Sequence, residues 1–261
     1  MNRQYHVTTF RADQLQKLRN VRVHSPTIIQ IVLGSKRLFW RDSTLDLSNS
    51  QLLLCEASAS LSFENLPHKG RFLSRVFSFQ CMPSNTMLEL SKERSSLARH
   101  DIVIDSNKML EDTLNALFSF DQDLMSAETQ TFWVMGLYQQ LAEQGMLHQL
   151  FANSNTTFTH TLSRYLSRNP GKKHALDDVA QRFAMSRATL IRKLKREGTQ
   201  YKEVLAEVRF GHALSLMQSG ERNVASLALS CGYQSEGRFS QRFRDKFGLT
   251  PSEYLRTVAL N

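Results

Sequence analysis

In residues 230–254, SCGYQSEGRFSQRFRDKFGLTPSEY, the cations Arg238, Arg242, Arg244 and Lys246 are interleaved with Phe239, Phe243 and Phe247. Phenylalanines four residues apart fall on one stripe of a helix, which leaves the remaining faces to the charges. Such a helix is built to grip, not to break bonds. Its cationic groups suit phosphate oxygens, which supply affinity without reading sequence, and Arg242, Arg244 and Lys246 are assigned there. Arg238 and Gln241, three residues apart near the helix start, can meet base edges: Arg pairs with guanine, Gln with adenine, and Glu236 can accept from cytosine.

A second segment of the same kind precedes it. LDDVAQRFAMSRATLIRKLKREG (176–198) and VASLALSCGYQSEGRFSQRFRDKFG (224–248) each read as a short apolar-striped helix, a tight turn and a basic helix. Aligning Ala180 with Ala228 places Ala184 on Gly232. One extra residue in the second turn then brings Leu190 onto Phe239 and Leu194 onto Phe243. In the first unit Ser186 is the expected N-cap, Leu190 and Leu194 the buried pair, and Arg187, Ala188, Ile191, Arg192 and Lys195 the outward side. Ala188 and Ile191 are unusual on a solvated face but suit thymine methyl groups. Two helices joined by a turn, the second apolar behind and cationic in front, describe a helix-turn-helix; a core holds such a helix from behind while its front enters the major groove of a duplex.

The charge distribution agrees with that reading. The chain of 261 residues carries a formal net charge of +9, with 15 Lys/Arg against 15 Asp/Glu in residues 1–157 and 18 against 9 in 158–261. A neutral half joined to a basic half suggests a sensing or assembly module attached to one for a polyanion. The longest apolar run, Phe132 to Tyr138, is too short to span a bilayer, and the first residues lack the apolar stretch of a signal peptide, so no membrane role and a cytoplasmic location are expected. Cys55, Cys81 and Cys231 form no Cys-x-x-Cys and are read as buried free thiols, with a redox pair of Cys55 and Cys81 as the alternative.

The positioning elements follow from periodicity. From about 25 to 80, short apolar runs (TIIQIVLG, KRLFWR, TLDLS, QLLLC, SASLSF, GRFLSRVFSFQ) alternate with turn-formers. They predict a small β-barrel or sandwich. After about 105 the period becomes helical: Leu110, Leu114, Leu117 and Phe118 form one stripe, and Val134, Leu137, Tyr138 and Leu141 another, opened by Ser126 as N-cap. These helices either pack on their own barrel or supply a homodimer interface through residues 107–150. Ala152 to Thr157 is polar and aperiodic. The expected organisation is an N-terminal barrel plus helical domain over 1–151, a linker over 152–158 and a DNA-binding domain over 159–261. The fold class is α+β: a small cupin-like barrel with two helices, followed by an all-α double helix-turn-helix domain.

Residues 176–256 resemble the DNA-binding domain of AraC/XylS-type transcription regulators. The resemblance rests on the two segments above, on VRFGHALSLM with Arg209, Ala213 and Leu216, and on the pattern Ala228, Gly232-Tyr233, Phe239, Phe243, Phe247-Gly248 and Thr250-Pro251-Ser252-Glu253-Tyr254. It implies that a helix from about Thr199 to Gln218 holds the two recognition helices about one DNA turn, ~34 Å, apart. It also implies base-contacting positions at Ala188, Ile191 and Arg192, and at Glu236, Gly237, Arg238 and Gln241. Gly237 departs from the pattern, offering no side chain. The partners implied are double-stranded promoter DNA and RNA polymerase, with the protein acting as an activator. Lys36, Arg37 and Arg41 are candidates for a small acidic or fatty-acid effector, as in some virulence regulators of the family, against a plain exposed strand.

Two other classes are weighed. For an enzyme, no Gly-rich phosphate loop, His-Glu-x-x-His or Gly-x-Ser-x-Gly occurs, the eight histidines are scattered, and neither catalysis, metal nor cofactor is expected. A nucleic-acid binder without sequence preference, such as an architectural protein, would expose aromatics for stacking, whereas here they sit at core spacing.

Overall fold

The computed structural model describes residues 3–57, 59–95, 102–152 and 157–258. Two antiparallel sheets face each other in its first half. One has the order β1 (Tyr5–Ala12), β8 (Phe72–Phe79), β3 (Thr27–Leu33), β6 (Gln51–Cys55) and β9 (Val103–Asp105). The other has the order β2 (Gln16–Arg22), β7 (Ser60–Leu66), β4 (Ser35–Trp40) and β5 (Ser43–Leu47). The sheets do not close on each other, so the expected barrel is an open, barrel-like sandwich of the cupin-like class.

Strand alternation decides what fills each side. Ile29, Ile31, Leu53 and Cys55 point between the sheets toward Leu18, Leu38, Leu61 and Phe63. Their neighbours Ile28, Leu52 and Leu54, with Tyr5, Phe77 and Phe79, emerge on the other face of the five-stranded sheet. Both faces of β3 are therefore buried from Thr27 to Ile31, and TIIQIVL reads as a near-continuous apolar run interrupted by Gln30, not as an alternation. The outer face is covered by α2 (Lys108–Ser119) and α3 (Ala127–Glu143), through Leu110, Leu114, Leu117, Val134, Leu137, Tyr138 and Leu141. Of the two alternatives for these helices, packing on their own sheet accounts for both apolar stripes. Ser126 caps α3, accepting from the Thr129 amide at 3.1 Å. Phe118 differs from its stripe: it lies exposed, under the Arg75 guanidinium at 3.8 Å.

Several elements were not expected, among them the short β9, which pairs with β6. β1 and β2 precede the anticipated start, α1 (Asn85–Arg94) follows the last long strand, and α4 (Leu147–Leu150) follows α3. The linker region falls mostly on residues 153–156, outside the described residues. From Phe158 the described chain is helical: α5 (Phe158–Leu166), α6 (Leu176–Arg182), α7 (Arg187–Arg196), α8 (Tyr201–Gln218), α9 (Val224–Ser230), α10 (Glu236–Phe247) and α11 (Pro251–Thr257).

The cores of the helical half divide unequally. Leu162, Leu166, Val179, Ala180, Leu190, Leu194, Val204 and Val208 form one cluster around α6 and α7. Phe210, Leu214, Met217, Phe239, Phe243 and Tyr254 belong instead to the cluster that fills the sandwich. The second helix-turn-helix is thus packed onto the β-sheet half, and the first stands on a core of its own.

Candidate nucleic-acid interface

The two units are built on one plan. In each, the turn between the helices requires a left-handed residue, and the aligned pair supplies it: Ala184 at φ 50° and Gly232 at φ 76°. Ser186 Oγ then accepts from the Thr189 amide at 3.2 Å, and Ser235 Oγ from the Arg238 amide at 3.3 Å, capping α7 and α10. Leu190 and Leu194 bury the back of α7, and Phe239, Phe243 and Phe247 the back of α10. Gly248 ends α10 in the left-handed conformation at φ 90°.

The aromatic stripe of α10 closes on a residue of α8 that the sequence reading did not single out. Phe210 lies 5.8 Å from the rings of both Phe243 and Phe247, 6.1 Å from Phe239 and 5.8 Å from Tyr233. Its place inside VRFGHALSLM was the available signal. α8 carries the other unit on its N-terminal half through Val204 and Val208, so one rod connects both cores. Glu197, just past α7, accepts from the Phe158 and Thr159 amides at 2.7 Å each and ties α5 to the end of that helix.

With the backs fixed, the fronts are open. Arg187, Ala188, Ile191, Arg192 and Lys195 on α7 are all exposed, as are Glu236, Arg238, Gln241, Arg242 and Arg244 on α10. Ile191 leaves 45% of its surface in water, a cost that apolar contact with a partner would remove. Three of these side chains are already held: Arg187 lies 3.7 Å from Asp177, the Gln241 amide donates to Asp245 at 2.8 Å, and Arg242 is hydrogen-bonded to the Tyr233 side chain.

Lys246, expected at phosphate, is engaged within the protein. Its ammonium donates to Glu207 Oε1 of α8 at 2.9 Å, and the same oxygen receives Arg22 of β2 at 3.5 Å. Helical spacing separates a buried from an unburied side but cannot say that this flank of α10 faces the sandwich.

Lys36, Arg37 and Arg41 do not converge. Alternation along β4 turns Lys36 inward beside Leu38 and Arg37 outward, where it pairs with Asp46 at 2.8 and 3.2 Å. Arg41 sits exposed in the following turn. Neither the joint site nor the plain exposed strand describes Lys36. Its ammonium lies 3.5 Å over the Phe63 ring and donates to Asn65, and burial pushes its pKa down to about 7. It borders a cavity of about 230 Å³ between the sheets, lined by Phe10, Leu18 and Val76 and closed by Gly211 and Leu214 of α8. A polar chain continues from it: the Asn65 amide donates to Gln16 at 2.8 Å, and the Gln16 amide to Thr257 of α11 at 2.7 Å. Among the described residues no group of His, Cys, Asp and Glu could hold a metal ion, and no helix is long and apolar enough to cross a membrane. Cys55 and Cys231 are buried thiols with pKa pushed up to about 12 by burial, and all three cysteines are free.

A family profile described as a helix-turn-helix domain matches residues 179–257, from α6 to the end of α11. The carboxy-terminal domain belongs to the AraC/XylS family. The urease operon transcriptional activator of Escherichia coli is 29% identical over 131 residues, half of this chain and 44% of that protein. The regulator GadX of Escherichia coli O6:H1 is 36% identical over 89 residues, 34% of this chain and 32% of GadX. The chain thus spans less than half the length of these curated relatives. For the whole chain the likeness is one of fold: ToxT from Vibrio cholerae, solved with an unsaturated fatty acid, superposes with a TM-score of 0.62 at 16% identity, covering 99% of this chain and 97% of ToxT. The order of a sandwich followed by a helical half is therefore shared with ToxT.

Proposed function

We propose that this protein is a sequence-specific DNA-binding transcription regulator that inserts α7 and α10 into successive major grooves on one face of a promoter. The observation that carries this reading is the pair of capped helices, each apolar behind and cationic in front, mounted on opposite ends of α8. Arg238, Gln241 and Glu236 read bases, joined by Ala188, Ile191 and Arg192 from the first unit, while Arg187, Lys195, Arg242 and Arg244 hold phosphates. We assign it to the cytoplasm, as an activator that meets RNA polymerase at the promoter, in keeping with the activator among its relatives. Selecting duplexes from a random pool with the full chain tests the reading: it requires a two-part consensus with parts one helical turn apart, whereas an architectural binder would return no consensus.

The same proposal assigns a small acidic effector, of fatty-acid type, to the cavity beside Lys36. A buried ammonium with no carboxylate within 4.0 Å among the described residues is costly, and a ligand carboxylate would offset that cost. The ToxT structure with a bound fatty acid supports the choice of ligand class. Gly211 and Leu214 at the cavity wall, and the chain from Lys36 through Asn65 and Gln16 to Thr257, give such a ligand two routes to the DNA-binding half. Leu124, Phe132 and Trp133, exposed on and before α3, are the surface on which we place a homodimer contact.

A further inference from the structure

The loop between α5 and α6 contains Asn169, Pro170, Gly171, Lys172 and Lys173, and the reading above gives it no task. It is nonetheless fixed in place. Arg209 of α8 donates from Nε to the Pro170 carbonyl at 3.2 Å and from Nη2 to the Lys172 carbonyl at 3.2 Å. The Lys172 amide closes on the Asn169 carbonyl at 3.1 Å, and the Tyr201 hydroxyl donates to the His174 carbonyl at 3.0 Å. Gly171 is pressed against the end of α9 so closely that a Cβ there would stand 2.3 Å from the Ser230 carbonyl oxygen. A loop of the first unit is therefore bolted to the turn of the second.

Contacts lead from that bolt to the open face of α10. The Arg209 guanidinium lies 5.5 Å from the centre of the Tyr233 ring, and the Tyr233 side chain is hydrogen-bonded to Arg242. Arg242 is one of the cations already given to phosphate. Lys172 and Lys173 are exposed, on a backbone held by Arg209, at the junction between the two units. Two cations on a rigid loop lose less conformational freedom on binding than the same cations on a mobile one.

We infer that Lys172 and Lys173 form a third contact with DNA, gripping backbone phosphates in the stretch between the two major grooves, with Arg209 as the positioning residue. The inference rests on the proposed two-groove binding. Each neutralised phosphate contributes about 0.9 to the slope of log affinity against log salt. Replacing both lysines by alanine should therefore lower the slope by about 1.8 and weaken binding roughly thirtyfold at 0.15 M salt.

The experiment compares the full chain with the variant K172A/K173A on one selected duplex, across a salt series and by phosphate-ethylation interference. The expected result is the smaller slope, loss of interference at phosphates between the two groove tracts, and unchanged base preference. The control Lys108→Ala, on α2 away from both units, should change none of these. An unchanged slope, or an equal drop in the control, overturns the inference while leaving the two-groove reading intact. If the unaltered chain itself gives no two-part site, the underlying reading fails instead, and the two failures are distinguished by the first lane of the same experiment. Both lysines are exposed, so loss of fold is not expected; circular dichroism of the variant checks it.

Discussion

Replacing Glu207 by Gln tests whether charge holds α10 to α8 and, through Arg22 of β2, the helical half to the sandwich. Glu207 Oε1 receives Lys246 at 2.9 Å and Arg22 at 3.5 Å, and its side chain is 10% exposed against 24% and 27% for its partners. Glutamine keeps the shape and removes the charge, leaving two cations beside a neutral amide. A hydrogen bond to a charged group contributes about 1.5–3 kcal/mol, and breaking a fully buried pair costs about 3–5 kcal/mol. Because both cations reach water, screening reduces the upper figure, and the loss should be roughly 1–3 kcal/mol. The pairwise part is isolated by a double-mutant cycle of Glu207→Gln and Lys246→Met, read by urea unfolding of the full chain. A coupling of about 1 kcal/mol or more that weakens in high salt is expected; a coupling under about 0.3 kcal/mol, within the additivity of independent sites, would refute the reasoning.

Ala184→Gly should stabilise the chain by about 1 kcal/mol in the same assay, since a left-handed L-residue at φ 50° costs about 1–2 kcal/mol and glycine returns only part of that in chain entropy; destabilisation would contradict this account of the turn. Lys36→Met should stabilise at pH 6 by about 1–4 kcal/mol and abolish binding of a fatty acid, measured by unfolding and calorimetry. The sign follows from proton binding: with a folded pKa of about 7 against 10.5, the unfolded chain binds more protons between those values, so stability rises with pH across that window and the methionine variant loses the rise. Arg238→Ala should change preference at one or two base pairs by roughly 1–3 kcal/mol, whereas Arg244→Ala should weaken all duplexes about equally and lower the salt slope by about 1; identical behaviour would void the division of the face.

Much of the interface is legible because local rules and the tertiary fold agree there. The alignment of Ala184 with Gly232 came from spacing alone, and both residues occupy the left-handed turn it implies. The phenylalanine stripe of α10 is buried as its period requires. What was missed depends on contacts between distant segments. β1, with the sequence YHVTTFRA, and β2, QKLRNVR, are too polar to read as strands, and they exist because β8 and β7 pair with them. In α1 the inward side is Met87, Leu88, Leu90 and Ser91, of which only Ser91 is fully buried, a stripe too short and too interrupted by polar residues to stand out in the sequence. Lys246 needed knowledge of the sandwich behind it. Lys36 carried a usable signal, since it stands two residues before the buried Leu38 on one strand face, but positive charge outweighed alternation in the reading.

The most direct measurement of the central claim is hydroxyl-radical footprinting of the full chain on a duplex selected from a random pool, combined with major-groove methylation interference. Two interference tracts one helical turn apart on the same face of the duplex are predicted, one lost on altering α7 at Arg192 and the other on altering α10 at Arg238. A single tract, or even protection along the whole duplex, would contradict the account.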